Sequence, residues 1–383
     1  MKKVLVYKSQ LLPYSETFIK EQIVALRDWH GVLIGEEILS NGLDLEGLDL
    51  RLIASSRKNA VQRLAGRVTR FLDIPFPGVV GYLARENAQL LHIHFGIEAV
   101  KFWPIARALN LPTLITLHGY DININREWWE AGNGGRVMRD YPRRLLRIAE
   151  SEKVIFIAVS EAIRRRAIEY GVPAEKIVVR YIGVDTKKFT PAGLPINRRS
   201  RRVLFVGRFV EKKGCGYLIR AFAKIQQTMP DAELVIVGDG PLRAEYERLA
   251  AELRCRLAFL GVLPPAEVKK QMDQARVFCL PSVTANNGDA EGLPIVILEA
   301  QSCGLPVITS ARGGATEGIQ DGETGFAHRE GDVDQLTESL VHLLNDDDLA
   351  CDFSISARKR VVRCFDIGHC SQLLEATYET TVG

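Results

Sequence analysis

Two cations, Arg208 and Lys213, stand in the segment Gly207-Arg208-Phe209-Val210-Glu211-Lys212-Lys213-Gly214, directly after the apolar run 203–206. If that run is a strand, both lie on the loop at its carboxyl end. There a planar guanidinium fork and a point charge could together hold an anionic group. A solvated charged loop is the alternative reading of the same residues. The segment 291–300, EGLPIVILEA, decides between them. Pro294 suits the first turn of a helix, where its missing N–H costs nothing. The amides of Gly292, Leu293 and Ile295 then point out of the helix start, where the dipole favours a diphosphate. Glu291 lies just ahead of the helix and can reach past the phosphates. Glu299 sits among Ile297, Leu298 and Ala300, where a carboxylate is costly without a partner, so it is expected to meet ribose hydroxyls.

The first half of the chain carries a second set of candidates. His92-Ile93-His94-Phe95-Gly96 and Thr116-Leu117-His118-Gly119-Tyr120-Asp121 both end apolar runs. His92 and His94 share one face by alternation, with His92 deeper in the strand. His92 therefore reads as a strand histidine with satisfied hydrogen bonds. Asn345-Asp346-Asp347-Asp348 reads as a solvated turn and helix cap rather than a metal site. Arg136, Arg139, Arg143, Arg144, Arg147 and Arg164–Arg166 make the first half locally basic. Solvated helix faces are the plain reading; a surface that meets anionic lipid headgroups is the sharper one.

Short apolar runs alternate with longer amphipathic segments along the chain, the pattern of parallel sheets wrapped by helices. Strands are expected at 4–7, 50–54, 90–95, 113–117, 154–159 and 177–181, with helices such as 17–26, 99–109 and 161–170. Residues 190–201, TPAGLPINRRSR, break the rhythm and read as a linker. It restarts with strands at 203–206, 234–237, 257–260, 277–280 and 307–309, and crossover helices begin near Tyr217, Leu242, Ala266 and Pro294. The expected architecture is α/β, with two Rossmann-like domains whose parallel sheets face each other across a cleft. Residues 1–190 form the first domain, 191–201 the linker, 202–362 the second domain and 363–383 a final helical segment. In such sheets ligands bind at the carboxyl ends of the strands.

Bulk properties set limits. The 383 residues suit two α/β domains, and 46% hydrophobic with 25% charged residues is ordinary globular composition. A net charge of +3 is too mild to suggest nucleic acid. The seven cysteines are scattered, none in a C-x-x-C pair, so neither a disulfide framework nor a zinc site is indicated and a reducing compartment fits best. The apolar run after Met1-Lys2-Lys3 is broken by Lys8, Ser9 and Gln10, too early for a secretory core, and no run of 18 apolar residues could span a membrane. The expectation is a cytoplasmic protein, at most peripheral at the inner face of the plasma membrane.

VLFVGRFVEKKG, LVIVGDGP, FLGVLPPAEV, EGLPIVILEA and GLPVITSARGGATEGIQDGETGF, in that order and spacing, resemble the retaining family 4 glycosyltransferases of the GT-B fold. Glu291 and Glu299 match that family's pair of glutamates. The place of the Gly-Gly turn of many relatives is taken by Ser9–Phe18 (SQLLPYSETF), which is similar to the exopolysaccharide and colanic-acid type branch. The resemblance implies that Arg208 and Lys213 hold the donor diphosphate, on the loop that Gly207 opens, and stabilise the departing charge. It implies that Glu299 takes the ribose, and that Glu291 with Gly292, Leu293, Pro294 and Ile295 takes the donor sugar and distal phosphate. Gly261-Val262, with Gly238-Asp239, would border the base. His118 matches the cleft histidine that contacts the donor sugar, with Asp121 joining it. Ser15 as N-cap, Glu16, Thr17, His94 and Gly119 are candidate sugar or acceptor contacts.

The activity so implied is transfer of a hexose, glucose by first choice, from a UDP-sugar to a glycan or a polyprenyl-diphosphate-linked glycan, without cofactor or metal. A sugar-nucleotide epimerase of the same fold, and an NAD-dependent oxidoreductase, are the alternatives. Against the second, no G-x-G-x-x-G follows the first strand.

Overall fold

The computed structural model describes residues 1–13, 16–40, 42–53, 74–75 and 77–383. Two compact units make up the chain: unit 1 is Met1–Gly183 with Ile367–Gly383, and unit 2 is Val184–Asp366.

Unit 1 is built on strands β1 (Lys2–Tyr7), β3 (Trp29–Gly35), β5 (Asp49–Leu52), β6 (Leu90–His94), β7 (Thr113–Leu117), β8 (Val154–Ala158) and β9 (Ile177–Val179). All pairings among them are parallel and the order is β5-β3-β1-β6-β7-β8-β9. The short strands β2 (Gln10–Leu11) and β4 (Glu37–Ile38) form a separate parallel ladder. β6 and β7 are buried at every residue. A parallel strand covered on both faces needs a near-continuous apolar run rather than alternation, which is what LLHIH and TLITL supply. Chain order reverses between β1 and β6, so the crevice of this sheet opens beyond their carboxyl ends.

The helix Ile367–Val382 packs into unit 1. Leu374 and Tyr378 join the core formed by Val4, Val6, Leu33 and Leu90. The buried Glu375 Oε1 accepts the backbone N–H groups of Arg27, Asp28 and Trp29 at 2.8, 2.8 and 3.0 Å. The Trp29 indole N–H donates to Glu379 Oε1 at 2.8 Å.

Unit 2 repeats the plan with β10 (Arg202–Val206), β11 (Glu233–Val237), β12 (Leu257–Phe259), β13 (Val277–Leu280), β14 (Val307–Ser310) and β15 (Gly325–His328). These strands are also all parallel, in the order β12-β11-β10-β13-β14-β15. Here the reversal falls between β10 and β13. Residues 190–201 lie within unit 2. Ile196 is buried there, and the Arg199 guanidinium donates to the carbonyls of Met272 and Ala275 at 3.2 and 2.9 Å.

Four strands were not foreseen: the two-residue β2 and β4, and the longer β3 and β15. β3 has an apolar run of only three residues, Val32–Ile34, between two glycines, and at Gly31 an added Cβ would lie 2.8 Å from Ile23 Cγ2. β15 begins at Gly325, where an added Cβ would lie 1.8 Å from the Val307 carbonyl oxygen. The strand expected at 50–54 runs Asp49–Leu52, and Ala54 lies outside the described residues. Asp346 caps the helix Asp347–Cys364 by accepting the Leu349 N–H at 2.9 Å.

Candidate active site

In unit 2 the site starts from the two strands that flank the reversal. β10 runs into Gly207, whose N–H donates to the Val237 carbonyl at 3.0 Å. A short 3₁₀ turn, Glu211–Lys213, follows, and Gly214 then starts the helix Cys215–Thr228. Gly214 has φ +65°, and an added Cβ would lie 1.8 Å from the Pro281 carbonyl oxygen. No other residue lets the loop after β10 press so closely on the loop after β13. The Lys213 ammonium therefore meets Glu291 Oε1 at 2.7 Å, and Ser282 donates to the same oxygen at 3.0 Å. Beside it Lys212 pairs with Asp289 at 3.0 Å.

Glu291 is 7% exposed. Burial alone would raise its pKa, but Lys213 and Lys212 outweigh that and hold the carboxyl below its ordinary range. Burial pushes the Lys213 ammonium downward, opposed by Glu291. A buried pair of this kind is costly to desolvate and costly to break. The Arg208 guanidinium, in contrast, is exposed and makes no hydrogen bond or ion pair to a described residue.

Past Glu291 the chain runs through Gly292, Leu293 and Pro294 into the helix Ile295–Ser302. Pro294 is the N-cap, one residue before the expected first turn. The amides of Gly292, Leu293 and Ile295 donate to no described group. Glu299 is half-buried on this helix. Val262, on the loop beyond β12, is 63% exposed. Gly238 approaches Gly207 closely: an added Cβ would lie 2.0 Å from the Gly207 carbonyl oxygen. The loop after β10, the loop after β13 and one helix start thus converge, presenting two cations, one fixed carboxylate and open amides.

In unit 1 the strand ends carry a histidine cluster. His92 is buried, with Nδ1 paired to the Tyr378 hydroxyl and Nε2 to Thr116 Oγ1, both at 2.7 Å. The His94 ring lies 4.5 Å from it, and His94 Nδ1 is 3.1 Å from His118 Nε2. Phe95 and Phe18 flank the His118 ring at 4.3 and 5.0 Å. Burial lowers the His92 and His118 pKa values to about 3 and puts that of His94 well below the ordinary value, with Lys8 adding to the effect on His94 and His118. All three imidazoles are neutral at pH 7. Phe95 holds φ +74° at the end of β6, a strained conformation that presents the start of the helix Gly96–Leu109 to the crevice.

Asp121 corrects one expectation. It is fully buried, and its oxygens accept the N–H groups of His118, Gly119 and Gly96 at 3.0, 2.9 and 2.7 Å. With both oxygens engaged it cannot face a sugar; it ties the loop after β7 to the helix start after β6. Gly119 is buried and belongs to that tie. Ser15 lies outside the described residues, and Glu16, not Ser15, occupies the N-cap of the helix Thr17–Ala25, with no side-chain cap bond. Thr17 is half-buried at its first position.

Four residues beside these sites went unseen in the sequence. Lys8, one residue beyond β1, is buried with its ammonium 3.6 Å from both Glu16 and Glu98. Ser282 and the Lys212–Asp289 pair were also missed. The signal was present: Lys8 and Ser282 each follow a strand that borders a reversal of strand order. That order is invisible until the sheet is assembled.

Comparison with known proteins gives consistent matches. Residues 186–360 match the family described as Glycosyl transferases group 1, and residues 39–188 match Glycosyltransferase Family 4. An amylovoran biosynthesis glycosyltransferase of Erwinia amylovora is 33% identical over 72% of this chain and 66% of its own length. A GDP-mannose-dependent alpha-(1-6)-phosphatidylinositol monomannoside mannosyltransferase of Mycolicibacterium smegmatis is 31% identical, with 75% of this chain and 76% of that protein covered. Among solved structures, the Anabaena HepE protein in complex with UDP and glucose superimposes with a TM-score of 0.79 at 20% identity, over 99% of this chain and 100% of that one. The last likeness establishes the GT-B fold.

Proposed function

We propose, on the premise that this chain belongs to the group 1, family 4 glycosyltransferases, that it transfers a hexose from a UDP-sugar to a hydroxyl of a glycan or lipid-linked glycan. The observation that carries this reading is the unit 2 crevice, where exposed Arg208, the Lys213–Glu291–Ser282 cluster and the open amides of Gly292, Leu293 and Ile295 meet at one reversal of strand order. Cations and a helix start together suit a diphosphate. Glucose is our choice of sugar, supported by UDP and glucose bound to the Anabaena protein of the same fold. Surface polysaccharide synthesis is supported by the amylovoran relative. The mannosyltransferase relative uses GDP-mannose by its name, so the nucleotide is the arm to test.

Glu299 is assigned to the ribose, and Val262 borders the base. Glu291, fixed by Lys213 and Ser282, accepts hydrogen bonds from donor hydroxyls. His118 of unit 1, a neutral imidazole, is assigned a hydrogen bond to a sugar at the carboxyl end of its own sheet. As the anomeric carbon leaves the phosphate oxygen, Arg208, Lys213 and the helix start stabilise the growing negative charge without a metal. The acceptor hydroxyl forms the new bond to that carbon, and its proton passes to the departing diphosphate. Attack from the departing side retains the anomeric configuration.

Lys213→Ala is expected to lower kcat/KM for UDP-glucose about 100- to 1,000-fold, by analogy with loss of one oxyanion donor. Turnover is read as UDP release. Near-normal turnover in this variant would overturn the assignment. In thermal denaturation, UDP at about 100 times its Kd should stabilise the protein by about 2.7 kcal/mol. Stabilisation by GDP in place of UDP would keep the activity and replace the donor.

A further inference from the structure

The histidine cluster of unit 1 contains one imbalance. His94 is 1% exposed, and its Nε2 is buried with no hydrogen-bond partner. Its other nitrogen, Nδ1, faces His118 Nε2 at 3.1 Å. A neutral imidazole carries one N–H, so His94 must place its proton either on the orphaned Nε2 or on the shared Nδ1. Leaving an N–H without a partner in the interior is rarer and costlier than leaving a lone pair. The proton therefore sits on Nδ1 and is donated to His118 Nε2.

His118 then has to accept at Nε2 and carry its own proton on Nδ1. That nitrogen has no described partner and is not among the buried unpaired atoms, so it reaches the open side of the cluster. We infer that His94 is a positioning residue that fixes His118 in the Nδ1–H form, so that His118 offers its ligand a hydrogen-bond donor and not a base. The inference rests on the reading of His118 as a sugar contact and deepens it: the group His118 recognises is an oxygen lone pair.

Three features hold the arrangement. Phe95 and Phe18 fix the plane of the His118 ring, and the His92 ring lies against His94 from below. His92 is itself held at both nitrogens by Thr116 and Tyr378. The depressed basicity of His94 and His118 keeps a single proton between them at neutral pH.

The test is a long-range ¹H–¹⁵N correlation spectrum of the ¹⁵N-histidine-labelled full chain at pH 7.5, with His118 assigned by its loss in His118→Gln. The expected pattern is a protonated Nδ1 and an unprotonated Nε2 for His118; the reverse pattern overturns the inference. His94→Asn, whose side-chain amide can donate from the same place, should keep that pattern. His94→Leu should lose it and lower turnover with UDP-glucose about tenfold, the value of one hydrogen bond. Retention of the Nδ1–H form in folded His94→Leu also overturns it. Because the spectrum is read without donor or acceptor, a correct tautomer with no UDP-glucose turnover would refute the proposed function and leave this inference standing.

Discussion

Buried, uncharged histidines make the stability of this protein depend on pH at the residue scale. His92 and His94 are each 1% exposed, and burial depresses their basicity, that of His92 to about 3. In the unfolded chain each titrates near 6.5, so each contributes stability that is complete above that value and is lost as pH falls toward the folded-state pKa. Between pH 7 and pH 5 the expected loss is about 2 kcal/mol for each. Urea unfolding followed at pH 7, 6 and 5 checks this. A midpoint independent of pH would refute it, and His92→Asn should remove one proton from the slope. Lys213 and Glu291 obey a different logic. They were legible as charges on the loops that follow β10 and β13, because residue type and spacing after a strand carry that information. Their mutual pairing was not, because it depends on Gly214 bringing two loops together.

At the scale of elements, the helix Ile367–Val382 is tied to unit 1 by polar bonds as well as by Leu374 and Tyr378 in the core. The single Glu375 carboxylate satisfies three consecutive amides, those of Arg27, Asp28 and Trp29, where the chain turns into β3. Glu375→Ala leaves three donors without that acceptor and is expected to cost about 3–5 kcal/mol, as for a broken buried charged network. All four tryptophans, at 29, 103, 128 and 129, lie in unit 1, so the shift in the urea midpoint of tryptophan fluorescence reads the loss directly. An unchanged midpoint would show that the amides find other partners. Most strands could be read from the sequence because parallel strands are uniform apolar runs, as 113–117 and 277–280 illustrate. β3 could not, since its apolar run Val32–Ile34 is only three residues long between Gly31 and Gly35, and its strand state is completed by pairing with β1. The role of Asp121 was equally hidden, because its three amide partners come from two separate loops.

At the scale of the molecule, the two sheets follow one plan, with strand order reversing beside the first strand of each. Each reversal holds a lysine near a buried glutamate, the buried Lys8 with Glu98 in unit 1 and the half-buried Lys213 with Glu291 in unit 2. The repetition of the fold could be read from the rhythm of apolar runs. The repetition of the charge pair could not, because Lys8 and Glu98 are far apart in sequence and meet only when β1 and β6 become neighbours. Unit 2 is one continuous stretch of chain, whereas unit 1 is interrupted by it.

That interruption sets an order of events during synthesis. Roughly 180 residues of unit 2 emerge between the body of unit 1 and its last helix, a delay of about 10–40 s at 5–20 residues per second. Throughout that interval the 27–29 turn lacks its acceptor and His92 lacks Tyr378, whereas unit 2 needs no residue from beyond Asp366. A chain truncated after Asp366 and released from the ribosome should therefore yield a protease-resistant unit 2 and a readily cleaved unit 1. Equal resistance of both would disprove this order. The unit begun first is thus the unit completed last, because its closing helix follows the whole of unit 2 along the chain.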